Sequence, residues 1–306
     1  MPKVAYIFPG QGSQYVGMGK DLYERSDKAR ELFDKADALL GINLSRICFD
    51  GPEDALRQTK NTQPALFLHS IVLVSMIDRN NASMVAGHSL GEYSALVAAG
   101  ALTFEEGLRL VRLRGELMQY AGEKEKGTMA AVVGLNTEIV EEICREASSA
   151  GIVQCANFNS PGQIVISGSV EGIHKAMEIA KARGAKLVKE LVVSGAFHSP
   201  LMKSAREGLN AGLGSAVIRD AQIPVYANVT GKGVQKAEEI RTLLNEQLTK
   251  PVRWEESIVQ MIADGATTFI EFGPGKVLQG LVKRINNNVD VKGVDKFDDI
   301  QKIEQV

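Results

Sequence analysis

Short apolar runs alternate along this chain with longer segments whose apolar residues recur at helical spacing. "KVAYIF" (3–8), "SMVAG" (83–87), "PVYANVT" (224–230) and "ATTFIEFG" (266–273) have strand length and composition. Between and after them, helical spacing covers 26–40, the apolar run 64–77, "LGEYSALVAAGAL" (90–102), 104–121, a stretch toward Gln247 and a closing segment from about Gly275. This order places strands side by side in one direction with helices across their faces, an α/β protein with a mostly parallel sheet. The charged tail past Val289 is assigned no element.

The texture changes after "GEKEKG" (122–127), a charged stretch between glycines that is expected to be a linker. Beyond it come "TMAAVVGL" as strand, "NTEIVEEICREASSAG" as helix, "VQCANFN" and "SPGQIVISG" as strands, "VEGIHKAMEIAKARGA" as helix and "KLVKELVV" as strand. The order βαββαβ is the signature of a ferredoxin-like unit. Residues 127–193 are therefore expected as a small ferredoxin-like subdomain, inserted in a discontinuous α/β-hydrolase-like domain formed by 1–126 and 194–306.

Several function classes drop out on composition. Net charge is −2, from 35 basic and 37 acidic residues, with no block of one sign, so neither nucleic acid nor a membrane surface is implied as a partner. The run 64–77 is too short to span a bilayer and contains His69. No signal peptide is expected, since the apolar run at Val4–Phe8 stops at Pro9-Gly10. Cys48, Cys144 and Cys155 lie far apart without a CxxC, which fits reduced thiols in the cytoplasm, and no metal-ligand spacing occurs.

In "VAGHSLGEYS" a serine stands between two glycines, Gly87 and Gly91, after a predicted strand and before a predicted helix. That is the context of a nucleophile elbow, in which a tight turn exposes the serine oxygen beside unpaired N–H groups at a helix start. The competing interpretation of Ser89 is a plain helix cap. A serine nucleophile needs a base, and the chain has four histidines. His69 reads as a satisfied core residue, His88 adjoins the turn with its ring aimed elsewhere, and His174 lies on a helix toward solvent. His198 in "VVSGAFHSP" follows a strand end, where catalytic groups collect, and is the base by elimination. Asp220 and Asp264 could orient its imidazole, but a backbone carbonyl would serve equally.

On the helix 104–121, Arg109 and Arg112 fall off the apolar stripe and are expected to reach water. Arg114 lies among Leu110, Val111, Leu117 and Met118. A guanidinium so placed needs a partner, either a glutamate of the chain or a carboxylate of the substrate held by its planar fork.

Together these motifs carry a family resemblance. "FPGQGSQ" (8–14), "GHSLGEYSAL" (87–96), "RLRG" (112–115), "NFNSPGQIVISG" (157–168), "GAFHSPLM" (195–202), "QLTKPVRW" (247–254) and "EFGPGKVL" (271–278) run nearly end to end. The chain resembles the malonyl-CoA:acyl carrier protein transacylases and the acyltransferase domains of polyketide synthases. The resemblance implies Ser89 as acylated nucleophile, His198 as base and Arg114 as holder of the malonyl carboxylate. It also implies an oxyanion hole from the backbone N–H groups of Gln11 and Leu90, and the backbone carbonyl of Gln247 orienting His198. Phe197 before the histidine goes with malonyl rather than methylmalonyl; some fatty acid members carry serine there.

The implied partners are malonyl-CoA and an acyl carrier protein, which brings its own phosphopantetheine, so no cofactor is expected and a monomer is. Lys189, Lys250 and Arg253 are candidates for meeting an acidic carrier. The route, fatty acid or polyketide, stays open. A lipase-type hydrolase shares the elbow but has no use for Arg114, and an idle carrier-docking module would not need Ser89 and His198.

Overall fold

The computed structural model describes residues 3–77 and 81–304. Among them ten strands follow in chain order: β1 (Lys3–Phe8), β2 (Ala82–Gly87), β3 (Gly127–Val133), β4 (Val153–Ser160), β5 (Gln163–Ser169), β6 (Leu187–Glu190), β7 (Val225–Tyr226), β8 (Gly233–Val234), β9 (Ala266–Phe272) and β10 (Asp290–Val294). The larger sheet has the order β10-β9-β1-β2-β7-β8, parallel throughout except between β7 and β8. Its period-2 pattern feeds two cores. Tyr6, Phe8, Val85, Ile270 and Phe272 enter one cluster, and Ala5, Ile7, Met84, Ala86 and Phe269 enter the other. Both faces are thus covered, as a parallel sheet requires. In register, Phe8 lies beside Gly87. The loops that leave β1 and β2 therefore emerge together at the carboxyl edge, where open α/β sheets bind ligands.

The helix Thr59–Ser75 is buried along nearly its whole length. It begins five residues before Pro64, whose missing N–H leaves the carbonyl of Lys60 without its helical donor. Arg112 fills that vacancy, its Nη1 donating to Lys60 O at 2.9 Å and to Asn61 Oδ1 at 3.1 Å. Arg112 was expected in water; an unpartnered carbonyl pulled it inward instead. Arg109 does face solvent and pairs with Glu106. Their helix, Phe104–Lys124, is capped by Thr103 and extends into the expected linker, leaving 125–126 as the connection to β3.

The smaller sheet, order β4-β5-β3-β6, is antiparallel throughout. Helices Thr137–Ala147 and Val170–Ala182, capped by Asn136 and Ser169, pack on one face. Alternation in β3 again decides the sides. Ala130 and Val132 join the helices' aliphatic core, while Met129 faces the large core. Backbone bonds Phe158 N to Val252 O (2.9 Å) and Val252 N to Ala156 O (2.8 Å) stitch the two sheets' units together.

Other expected bounds need correction as well, among them the strand over 224–230, which is β7 alone, Val225–Tyr226. The tail past Val289 forms β10 and the helix Phe297–Glu304. Its alternation was masked because an edge strand buries little. The helix after Ser89 stops at Ala98, where Gly100 turns the chain at φ 74°. β6 ends at Glu190, short of Val193. Helices Lys203–Ser215 and Trp254–Ala263 were not anticipated.

Candidate active site

Ser89 leaves β2 with φ 53°, a left-handed conformation that costs a side-chain-bearing residue energy. The strain sits on the serine itself, and neither flanking glycine has positive φ. Their role is clearance: a Cβ on Gly87 would lie 1.8 Å from Gly91 C, and one on Gly91 would lie 2.1 Å from Phe8 O. Asn228 fixes the turn from behind, accepting from Ser89 N at 2.6 Å through Oδ1 and donating Nδ2 to Gly87 O at 2.6 Å.

Ser89 Oγ lies 2.8 Å from His198 Nε2 and receives Arg114 Nη2 at 2.9 Å. His198 Nδ1 lies 2.8 Å from Gln247 O. A carbonyl only accepts, so Nδ1 carries a proton, and in the neutral ring Nε2 is bare. Arg114 only donates, so the hydroxyl proton of Ser89 points to Nε2. His198 also has φ 56°, and Gln154 Nε2 holds its carbonyl at 2.7 Å. Burial first, then the Arg114 charge, drives the imidazole pKa down to about 3, so the ring is neutral and able to accept.

Arg114 is 1% exposed. Nη1 donates to Gln63 Oε1 at 2.8 Å and Nη2 also to Gln247 Oε1 at 2.9 Å, and among the described residues no carboxylate pairs with it directly. The glutamate salt bridge considered for it is not made. Ser89, Arg114, His198 and Phe197 line a cavity of about 220 Å³ together with Met129, Val165 and Leu191 of the small unit. Gln11 and Leu90 line it too, and among the described residues their backbone N–H groups have no hydrogen-bond partner.

Residues 5–297 match the acyl transferase domain family. A malonyl CoA-acyl carrier protein transacylase of Bacillus subtilis is 47% identical, covering 98% of this chain and 96% of its own. Among solved structures, the acyl-carrier-protein S-malonyltransferase of Bartonella henselae superposes with TM-score 0.95 at 41% identity, covering 99% and 100%. A malonyl-transacylase solved with its type II polyketide acyl carrier protein matches with TM-score 0.95 at 40% identity, over 99% of each chain. This chain belongs to the acyl transferase family.

Among the described residues, none of the other histidines of this acyl transferase is hydrogen-bonded to the serine oxygen. His88 Nε2 bonds Asn159 Oδ1 at 2.9 Å, and His174 is exposed beside Glu190. His69 is buried as expected but not satisfied. Neither ring nitrogen has a hydrogen-bond partner among the described residues, and Asp295 Oδ1 stands off at 3.6 Å. Asp220 binds Lys236 and Asp264 binds Tyr226, so neither serves His198. Lys189 and Lys250 are exposed, and Arg253 pairs with Glu256 around a different depression, beside Phe158.

Sequence reasoning missed the polar residues behind the acyl transferase's serine. Glu92 is 3% exposed, and its Oε2 accepts from Gln247 Nε2 at 2.8 Å and Asn228 N at 3.1 Å. Burial raises its pKa to about 7 against the pull of those donors and of Arg114. The signal was present: a carboxylate in the first turn of the apolar helix Gly91–Ala98, and Asn228 directly after "PVYA".

Proposed function

We propose that this chain transfers the malonyl group of malonyl-CoA to the phosphopantetheine thiol of an acyl carrier protein, in fatty acid biosynthesis, through an ester on Ser89. The hydroxyl oxygen attacks the thioester carbonyl while His198 Nε2 takes its proton. N–H groups of Gln11 and Leu90 receive the charge on the carbonyl oxygen. The carbon–sulfur bond breaks, the imidazolium returns its proton to the leaving CoA sulfur, and malonyl-Ser89 remains. The carrier thiol then attacks the ester, gives its proton to Nε2 and releases Ser89, which recovers that proton. Thioester exchange of this kind needs a nucleophile and a base but no resident cofactor.

The observation that carries this reading is Arg114: a buried fork bonded only to neutral oxygens, 2.9 Å from the nucleophile. A substrate carboxylate can replace Ser89 Oγ on Nη2 and free the serine for attack, whereas a lipase would gain nothing from such a cation. Phe197, buried on the cavity wall, favours malonyl over its methylated homologue. The relatives' names support the malonyl and carrier assignments. The polyketide complex supports a second outlet for the same chemistry, distinguished by which carrier protein is loaded.

We read the small antiparallel unit as ferredoxin-like, since its order places the first strand between the last and the third. The large sheet with its serine turn reads as α/β-hydrolase-like, the enzyme as a cytoplasmic monomer. Mass spectrometry after mixing with malonyl-CoA tests the chemistry. One malonyl group on the peptide containing Ser89 is expected; a label on another residue, or none, overturns the assignment.

A further inference from the structure

The Gln247 side chain lies between a buried guanidinium and a buried carboxyl group. Its Oε1 receives Arg114 Nη2 at 2.9 Å, while its Nε2 donates to Glu92 Oε2 at 2.8 Å and to Ser89 O at 3.0 Å. An amide has one accepting and one donating end. With a guanidinium that can only donate on one side, and Ser89 O and Glu92 Oε2 as acceptors on the other, only this orientation satisfies all three. Reversed, it would set an NH₂ against the guanidinium and a carbonyl against the carboxylate.

We propose that Glu92 is a positioning residue: it holds the Gln247 amide with its oxygen toward Arg114, and thereby aims the guanidinium at the acyl carboxylate. The inference rests on the assignment of Arg114 to that carboxylate. Above its pKa of about 7, Glu92 also offers the buried guanidinium a counter-charge at a remove of one amide. A carboxylate in direct contact would occupy the fork and compete with the substrate. Placed behind Gln247, the carboxyl group leaves the fork's donors with neutral partners that a substrate anion can displace. The same carboxylate accepts Asn228 N, so the serine turn and the arginine share one anchor.

The test compares kcat/KM for malonyl-CoA and acetyl-CoA in Glu92→Ala, Glu92→Gln, Gln247→Leu, the double variant Glu92→Ala/Gln247→Leu, and Arg114→Ala. Glu92→Ala should lower the malonyl-to-acetyl ratio about tenfold, the size of one charge-assisted hydrogen bond, chiefly through the malonyl KM. Glu92→Gln should recover most of that ratio, because its side-chain oxygen can still accept Gln247 Nε2. Gln247→Leu should lower the ratio similarly, and adding Glu92→Ala should lower it no further. A merely structural Glu92 would depress both substrates equally. An unchanged ratio in Glu92→Ala, or additive losses in the double variant, overturns the proposal. Should Glu92→Ala not fold, Glu92→Asp, too short to reach the amide, takes its place in the cycle. A ratio kept by Arg114→Ala removes the Arg114 assignment and this inference with it. A ratio lost there but kept in the Glu92 variants removes only the inference.

Discussion

Two buried regions of this molecule are equally dry and differently built. Behind the small sheet, Ala130, Val132, Ile143, Ile166 and Ile173 form a core of aliphatic carbon. Across that sheet, Arg114, Gln247, Glu92, Asn228 and His198 are also almost wholly buried and hold one another by hydrogen bonds. The aliphatic core responds by degrees, since each lost methylene removes its own share of packing. The polar one is conditional: deleting any member leaves a buried partner unpaired, a cost larger than the bond was worth. Stability is tuned in the first region and chemistry in the second.

Ser89→Ala should break the contrast most completely, abolishing the acyl-enzyme detected by mass spectrometry while Tm stays near the wild-type value. His198→Ala should slow acylation by about a hundredfold or more, measured as CoA release. Its stability should carry a signature no aliphatic site can show. The folded imidazole pKa is depressed, from 6.5 to about 3, so the unfolded chain binds the proton more readily across that window. His198 therefore costs the wild type stability as pH falls from 6.5 toward 3. Tm measured against pH for both proteins should show the wild type losing ground to His198→Ala over that range; parallel curves would remove the buried neutral base.

Arg114→Ala comes next, with kcat/KM for malonyl-CoA down about ten- to a hundredfold and acetyl-CoA spared or improved. Equal losses for the two substrates would make the arginine structural. Discrimination by Phe197 is smaller. Methylmalonyl-CoA should be disfavoured by about 1–3 kcal/mol in kcat/KM, and equal values would remove Phe197 from substrate selection. The weakest effect belongs to the aliphatic core, where Ile166→Val should cost about 0.5–1.5 kcal/mol in denaturant unfolding. Turnover should stay within about twofold of wild type, as expected of a site that adjusts stability alone. A larger drop would mean that the two regions are coupled.

The order of strands and helices was legible because period 2 and period 3.6 survive wherever a face is buried. β1, β2, β9 and the helix carrying Arg114 all bury most of a face. β10 did not announce itself because edge position leaves its residues half-exposed. In the site, Ser89, His198 and Arg114 could be found because each breaks a local rule: a serine between glycines, a histidine after a strand end, a charge on an apolar face. Gln247 was legible through the family motif, and only for its carbonyl. Glu92 and Asn228 were not found, since a polar residue's worth depends on what lies across the fold from it. Asn228 meets Ser89 from 139 positions away, a pairing that no local pattern records.

The clearance at the serine turn has a consequence for anyone redesigning acyl selectivity. Gly87 faces the backbone of Gly91, and Gly91 faces the backbone of Phe8. Main chain cannot rotate away as a side chain can, so these positions offer no intermediate settings. A library that randomises them should return wild type or nothing. The adjustable part of the pocket lies elsewhere in its lining, where Met129, Val165 and Leu191 present side chains that can be shortened one carbon at a time.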